Sequence, residues 1–501
     1  MKLLIRLSFI SILFCYFDYN KFVTDINFST SGYANIYAIN RTSDSELIKL
    51  PFRLISYDVG FNYKDYSFNI NWGLEHKIKT FDSNQPLNSF LFDLISKSNV
   101  DYKSEFREFY FSYFPTYGEI KIGKQIHSWG AVDINSPTDV LNPIDYYYLF
   151  TDSDETKIGR NSFLVDLFFD SFKLELLLMT DHLPNNIPGN DPDFPITLPA
   201  SVQNYQFLDK LPEYGLNSQF SKPIEYGGFL QYSMDEMDWT IYYFSGYDRN
   251  FNLYGANVFA DEFDINTVTD TIFSYRSTQM YALSNVSFLG DLTLRSDLAY
   301  FESDSGDQKI DSRPYYGQDP ISQFIDFNTN LASSYFNISG KYYQYSLQLE
   351  YTLPFDIDLT TQFFGYEKID IQGEIVDVEL TNFSIYLDGK NFFYPGMGSS
   401  TATLAKRGVL CNLKKTFLDE SLEFQISSLI DTKDKGSLSQ LKLNYELSDN
   451  FNLSLLYYKG RGNKSKFPDY DETPEIDESL LYPFNAMENF SHIRAQIQYY
   501  F

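Results

Sequence analysis

The stretch that most constrains this chain is its end, residues 490–501, which reads FSHIRAQIQYYF. Ile493, Ala495, Ile497, Tyr499 and Phe501 fall on one face at every second position, and His492, Arg494, Gln496, Gln498 and Tyr500 fall on the other. A period of two is that of a β-strand, here with one apolar and one polar face. The same alternation recurs upstream. In residues 67–77 the set Ser67, Asn69, Asn71, Gly73 and Glu75 opposes Phe68, Ile70, Trp72 and Leu74. Residues 343–353 and 438–447 repeat it, each run having about the 10 residues that a tilted strand needs to cross a bilayer.

Composition decides what such strands can build. Aromatic residues make up 18% of the 501, with 47 Phe and 42 Tyr against 7 Met. So many rings exceed what a soluble core uses, yet no apolar run reaches the roughly 18 residues of a membrane helix. Rings in this quantity suit the two interfacial girdles of a transmembrane barrel, and the mean hydropathy of −0.30 fits strands with one polar face. An open sheet with so many aromatic edges would pair with other chains, whereas a closed barrel has no edges.

The connections alternate in length. Short turns fall near residues 64–65, 115–117, 170–171, 234–236, 290, 354–356, 418–420 and 448–450. Longer loops fall near 40–51, 79–103, 128–159, 182–224, 249–273, 303–337, 369–400, 432–437 and 462–489. Eight turns and nine loops imply about eighteen antiparallel strands, within a range of 16 to 20, with short periplasmic turns, long extracellular loops and both termini in the periplasm. Residues 369–390 alternate in places and either extend a hairpin or hold another one. Residues 1–20 read as a signal peptide, with Lys2 and Arg6 before an apolar run at 7–14, which leaves 21–501 as a single barrel domain. Cys15 lies in that leader, so Cys411 has no intramolecular partner.

Several functions are disfavoured. A net charge of −28 argues against nucleic acid as a partner. The four histidines form no HExxH pair, no GxSxG occurs, and Ser491 and His492 point to opposite faces of one strand. The group Asp469, Asp471 and Glu472 lacks the register of a calcium loop. No enzyme, cofactor or metal site is expected.

One segment stands out. Residues 123–150 read GKQIHSWGAVDINSPTDVLNPIDYYYLF, with stiff turns at Ser136–Pro137 and Asn142–Pro143, aspartates at 133, 139 and 145, and three consecutive tyrosines. A free outer loop needs neither such turns nor so many rings, but a loop folded into the barrel does. The expectation is that residues 128–159 fold inward as a constriction, with Lys124, Gln125, His127, Trp129, Asp133, Asp139, Asn142 and Asp145 at or near the neck. Arg295, Lys442 and Arg494, at inward positions, would face the acids across the lumen. Turn-bracing through local hydrogen bonds is the competing role for Asp139 and Asn142. Lys124 shares the parity of Ile120, Ile122 and Ile126 and so faces lipid, unless a bulge at Gly123 turns it inward.

The residues Gly123, Lys124, Gln125, Trp129, Gly130, Asp139, Leu141, Asn142, Pro143 and Asp145 resemble a G-R/K-Q…W-G…D.LNP.D segment of porin-like Gram-negative outer-membrane proteins. The terminal Ile497, Tyr499 and Phe501 resemble the strand that such barrels present to their assembly machinery. The resemblance implies an outer-membrane protein. Its partners would be membrane lipid and lipopolysaccharide, the assembly machinery and small solutes, with oligomeric state left open. Its expected function is that of a porin or substrate-selective channel. The alternatives are an adhesion or structural barrel with a closed lumen, or a conduit for an apolar or polymeric substrate along inward Phe364, Leu456 and Tyr458.

Overall fold

The computed structural model describes residues 26–78, 100–149, 155–187, 224–260, 267–311, 331–379, 384–403, 405–433, 436–462, 487–488 and 490–501. The leader expected at 1–20 and much of the longest loops lie outside them. The first half holds β1 (Asn27–Arg41), β2 (Phe52–Tyr63), β3 (Tyr66–Ile78), β4 (Val100–Tyr113), β5 (Gly118–Gln125), β6 (Arg160–Phe168), β7 (Phe172–Met179), β8 (Glu225–Ser233) and β9 (Met237–Tyr247). There follow β10 (Asn252–Ala260), β11 (Thr267–Leu289), β12 (Leu292–Asp311), β13 (Leu331–Tyr335), β14 (Ser339–Leu353), β15 (Ile357–Gln372), β16 (Ile375–Glu379) and β17 (Ser384–Asp388). The chain ends with β18 (Arg407–Phe417), β19 (Leu422–Asp431), β20 (Ser437–Ser448), β21 (Phe451–Arg461) and β22 (His492–Tyr500).

Eighteen of these strands pair antiparallel, each with its neighbours in the ring, and β22 closes on β1 from Tyr33↔Tyr500 to Arg41↔His492. All eight short turns lie where alternation breaks in the sequence. The loops near 249–273 and 303–337 need correction, because they carry regular structure. At 23 and 20 residues, β11 and β12 outrun the ~10 that cross a bilayer. The outer part of β11 pairs with β10, which also pairs with β13. Residues 369–390 do both things that alternation allowed: β15 extends to Gln372, and β16 and β17 form a separate two-stranded hairpin.

The outer surface follows the parity. Ile493, Ile497 and Tyr499 of β22 and the terminal Phe501 are exposed, while His492 and Arg494 are buried inside. Exposed rings gather beside the short turns, among them Phe114, Phe172, Phe288, Phe417 and Phe451, as a lower aromatic girdle. This is the architecture of an outer-membrane β-barrel, and the chain belongs in that membrane.

The lumen is not empty. Trp129, Val140, Leu141, Phe244, Phe301, Tyr342 and Met397 belong to one buried apolar cluster, and Ile39, Tyr146, Leu438, Leu456, Tyr458 and Phe490 to a second. Both clusters combine wall strands with chain that has folded inward.

Candidate functional site: two segments folded into the lumen

Residues 126–149 and 155–159 leave β5 and return to β6 through the lumen. Asn142 ties the ends together: its Oδ1 accepts the His127 N–H at 2.7 Å, and its Nδ2 donates to Gln125 O at 3.2 Å and Ile158 O at 2.7 Å. Lys157 Nζ lies 2.5 Å from Asp139 and donates to His127 O at 3.0 Å. His127 Nε2 sits 2.9 Å from Ser162 Oγ. Local bracing is therefore real for Asp139 and Asn142, and it operates inside the barrel.

The tip is held by one wall. Asp297 on β12 accepts from Ala131 N at 2.8 Å, Val132 N at 3.2 Å and Ser136 Oγ at 2.6 Å. Trp129 Nε1 donates to Glu175 on β7 at 2.7 Å, and Gln348 on β14 exchanges hydrogen bonds with Asp133. Gly130 must be glycine: its φ is +109°, and a Cβ would collide with Ser136 Oγ and lie 2.8 Å from Asp297 Oδ2. The return arm is held by the other wall. Tyr148 donates to Glu75 on β3 at 2.7 Å, and Glu155 accepts from Arg53 on β2 at 2.7 Å and lies 3.6 Å from Arg107. The segment thus reaches from β12 to β3.

Residues 389–403 and 405–406 belong to a second inward segment that the sequence did not reveal. Gln344 Nε2 donates to Met397 O at 2.9 Å, and Arg249 N and Asn250 N donate to Gly396 O at 2.8 and 2.9 Å. Tyr146 donates to Ser400 O at 2.9 Å, and Thr401 N donates to Asn135 Oδ1 at 3.0 Å, so the two inward segments bond to each other.

At their junction lies a buried charge cluster. Glu225 accepts from Arg160 NH1 at 2.6 Å and, bidentately, from Arg249 at 2.9 and 2.7 Å, with His182 Nδ1 at 2.8 Å. The two arginines also donate to Leu141 O at 3.0 and 3.1 Å, and Arg249 donates to Val140 O at 3.1 Å. One carboxylate thereby positions two guanidinium groups that clamp the segment's backbone.

The remaining expected site residues fall as follows. Gln125 is buried facing inward, its Nε2 donating to Ser162 O at 3.1 Å. Lys124 is corrected. It pairs with the outward Phe109, its Nζ reaches Phe106 O at 2.6 Å, and the register through Gly123 is continuous. The bulge lies instead on β4, where Asn71↔Glu108 is followed by Trp72↔Phe106 and the extra residue, Arg107, turns inward to Glu155. Arg295 does not oppose Asp133 across the lumen but lies 3.9 Å from it and donates to Ala131 O at 3.3 Å. Arg494 is buried against the Tyr37 ring at 5.7 Å, and Lys442 is half-buried on β20. Asp133 keeps an exposed side chain, whereas Asp145 is buried and caps Tyr147 N at 3.1 Å. Phe364, Leu456 and Tyr458 do point inward, but all three are buried under packed chain.

Burial shifts two groups of the inward segment. Desolvation pushes His127 down to about 3, helped by Lys121 and Arg160. Desolvation raises Asp145 to about 6, with the charge of Glu75 adding to it. Burial likewise lowers His182, against the pull of Glu225.

No protein-family model matches the chain, and a search of curated proteins gives no match. Among solved structures, the chain is similar to Pseudomonas aeruginosa OccK2 (OpdF) at 10% identity and a TM-score of 0.45, covering 95% of this chain and 98% of that one. It is similar to the P. aeruginosa outer membrane protein opdK at 10% identity and 0.44, covering 95% and 99%. Acinetobacter baumannii OccAB2 aligns at 11% identity and 0.44, covering 95% and 98%.

Proposed function

We propose that this barrel is a passive diffusion channel for small solutes, narrowed by residues 126–149 and 155–159 together with 389–403 and 405–406. The observation that carries this reading is the anchoring of one segment on opposite walls, at Asp297 and at Glu75. A segment so held narrows the path without needing to seal it. Half-buried polar side chains on β18–β20, including Asn412, Gln425 and Lys442, leave a hydrophilic wall on which solute and water can travel.

With Asp139 paired to Lys157 and Asp145 buried, Asp133 is the acid left at the tip, beside Arg295. A modest cation preference set by Asp133 follows. We also assign Ile497, Tyr499 and Phe501 to recognition by the barrel assembly machinery, and the outer belt to lipid and lipopolysaccharide.

The test is single-channel recording in a planar bilayer. Deleting residues 131–144 should raise conductance and weaken the cation preference. An unaltered conductance in a correctly folded deletion variant would remove the constriction, and a wild-type protein that never opens would favour the closed adhesion barrel.

A further inference from the structure

Residues 128–131 and the lumen wall at β8, β9 and β11 bound an open-sided cavity of about 180 Å³ towards the periplasmic turns. Three rings line it. Trp129 and Tyr242 have centroids 5.4 Å apart, Phe229 and Tyr242 5.5 Å, and Trp129 and Phe229 6.1 Å. Gln231, Thr240 and Asp238 follow Phe229 and Tyr242 along the same face of β8 and β9, towards the turn. The ring positions are fixed: Trp129 is hydrogen-bonded to Glu175 outside the cavity, and Tyr242 OH accepts from Gly130 N, which lines it, at 3.3 Å. The apolar surface is therefore in place before any ligand arrives.

Resting on the channel reading above, we propose that this cavity is a binding subsite for a neutral sugar ring. Its volume exceeds the roughly 150 Å³ of an engineered cavity that takes up benzene, so a six-membered ring fits through its open side. Aromatic rings cover the C–H face of a pyranose, while an amide, a hydroxyl and a carboxylate next to them along the same wall bond the hydroxyl groups at its edge. Three rings with one carboxylate would also suit an organic ammonium ion. Occupancy of the ring weighs against that ligand: Lys173 Nζ, held 3.4 Å from Asp166 and 3.8 Å from Glu175, already lies 5.1 Å over the Phe229 ring and takes up a face that a second cation would use.

Of the three tryptophans, Trp72 and Trp239 have the outward parity, so Trp129 emission can report the cavity in a Trp72→Phe/Trp239→Phe background. Titration of the detergent-folded full chain with D-glucose should give a saturable shift, half complete at millimolar sugar. Phe229→Ala and Gln231→Ala, checked for heat-modifiable folding, should each weaken it by roughly tenfold, as expected for one ring contact or one hydrogen bond. Should Phe229→Ala fail to fold, Gln231→Ala carries the comparison. A response that does not saturate, one that Gln231→Ala leaves unchanged, or saturation by choline and not by glucose overturns the subsite. The titration needs no conduction. Conductance without glucose binding removes the subsite alone, and glucose binding in a barrel that never conducts removes the channel alone.

Discussion

Asp297 accepts the backbone N–H of Ala131 at 2.8 Å across 166 residues of sequence. With Val132 N and Ser136 Oγ on the same carboxylate, this one wall residue holds the tip of the inward segment. Hydrogen bonds to a charged group contribute about 1.5–3 kcal/mol each, and their loss leaves the buried Val132 amide and the half-buried Ala131 amide without this acceptor. Asp297→Ala should therefore leave the barrel folded but free its tip, giving larger and noisier single-channel currents. Asp297→Asn, which keeps an acceptor without the charge, should fall between. Wild-type currents in Asp297→Ala would mean that Trp129 and Asp133 hold the tip unaided.

Glu225 acts on the whole junction. Removing it would take from Arg249 its carboxylate partner and leave Arg160, equally buried, with only the partly exposed Asp181 at 3.5 Å. Breaking such a cluster costs about 3–5 kcal/mol. Glu225→Ala should lower the midpoint of thermal or urea unfolding in detergent. It should do so more than Glu367→Ala, which breaks a pair with the exposed Arg407. Equal effects would show that the cluster adds nothing beyond a surface pair.

How much of this was legible follows from what each residue faces. Lipid outside and polar lumen inside impose a period of two on every crossing strand, so the eight turns, eighteen strands and the parity of Lys124 could be read directly. The β4 bulge left a trace as well: Phe106 and Phe109, both outward, stand three apart where alternation demands two. The proline turns and tyrosines of residues 126–149 signalled an inward segment. Its anchors left no local signal. Asp297 shares a face with Arg295 and reads as one more lumen polar residue, because its partners are remote. Glu225 meets Arg160 and Arg249 only through the closed barrel. Residues 389–406 offered little beyond Gly396 and Gly398, the latter at φ +102° with no room for a Cβ beside Gln344.

At the barrel seam, Phe501 exchanges backbone hydrogen bonds with Gly32, at 3.0 and 3.1 Å, while its ring packs near Tyr57 at 5.9 Å. The backbone closes the barrel, while the ring stays exposed on its outer face. Phe501→Ser should therefore refold from denaturant into detergent as a heat-modifiable barrel, yet insert poorly in cells. Normal insertion in cells would remove the assembly role from the ring. Failure to refold in detergent would make the ring a packing element instead.

Acid sensitivity of the inward segment rests on two opposed groups. His127, lowered to about 3 from an ordinary 6.5, contributes stability that is present above pH 6.5 and lost as pH falls towards 3. Asp145, raised to about 6 from 3.8, contributes stability that is fully present below 3.8 and lost as pH rises through 6. Each contributes about 1.4 kcal/mol per pH unit inside its window. Between pH 6 and 4 the two offset each other, so docking and conductance should stay nearly constant. Below pH 4 only His127 still titrates, and the segment should loosen. The variants separate the contributions. Asp145→Asn removes the gain on acidification, so conductance should begin to rise near pH 6. His127→Asn removes the loss, so docking should tighten from pH 6 to 4 and stay tight below. Recordings across pH 3 to 8 check all three proteins. A flat profile in Asp145→Asn would show that His127 is not linked to the position of the segment, and a flat profile in His127→Asn would show the same of Asp145.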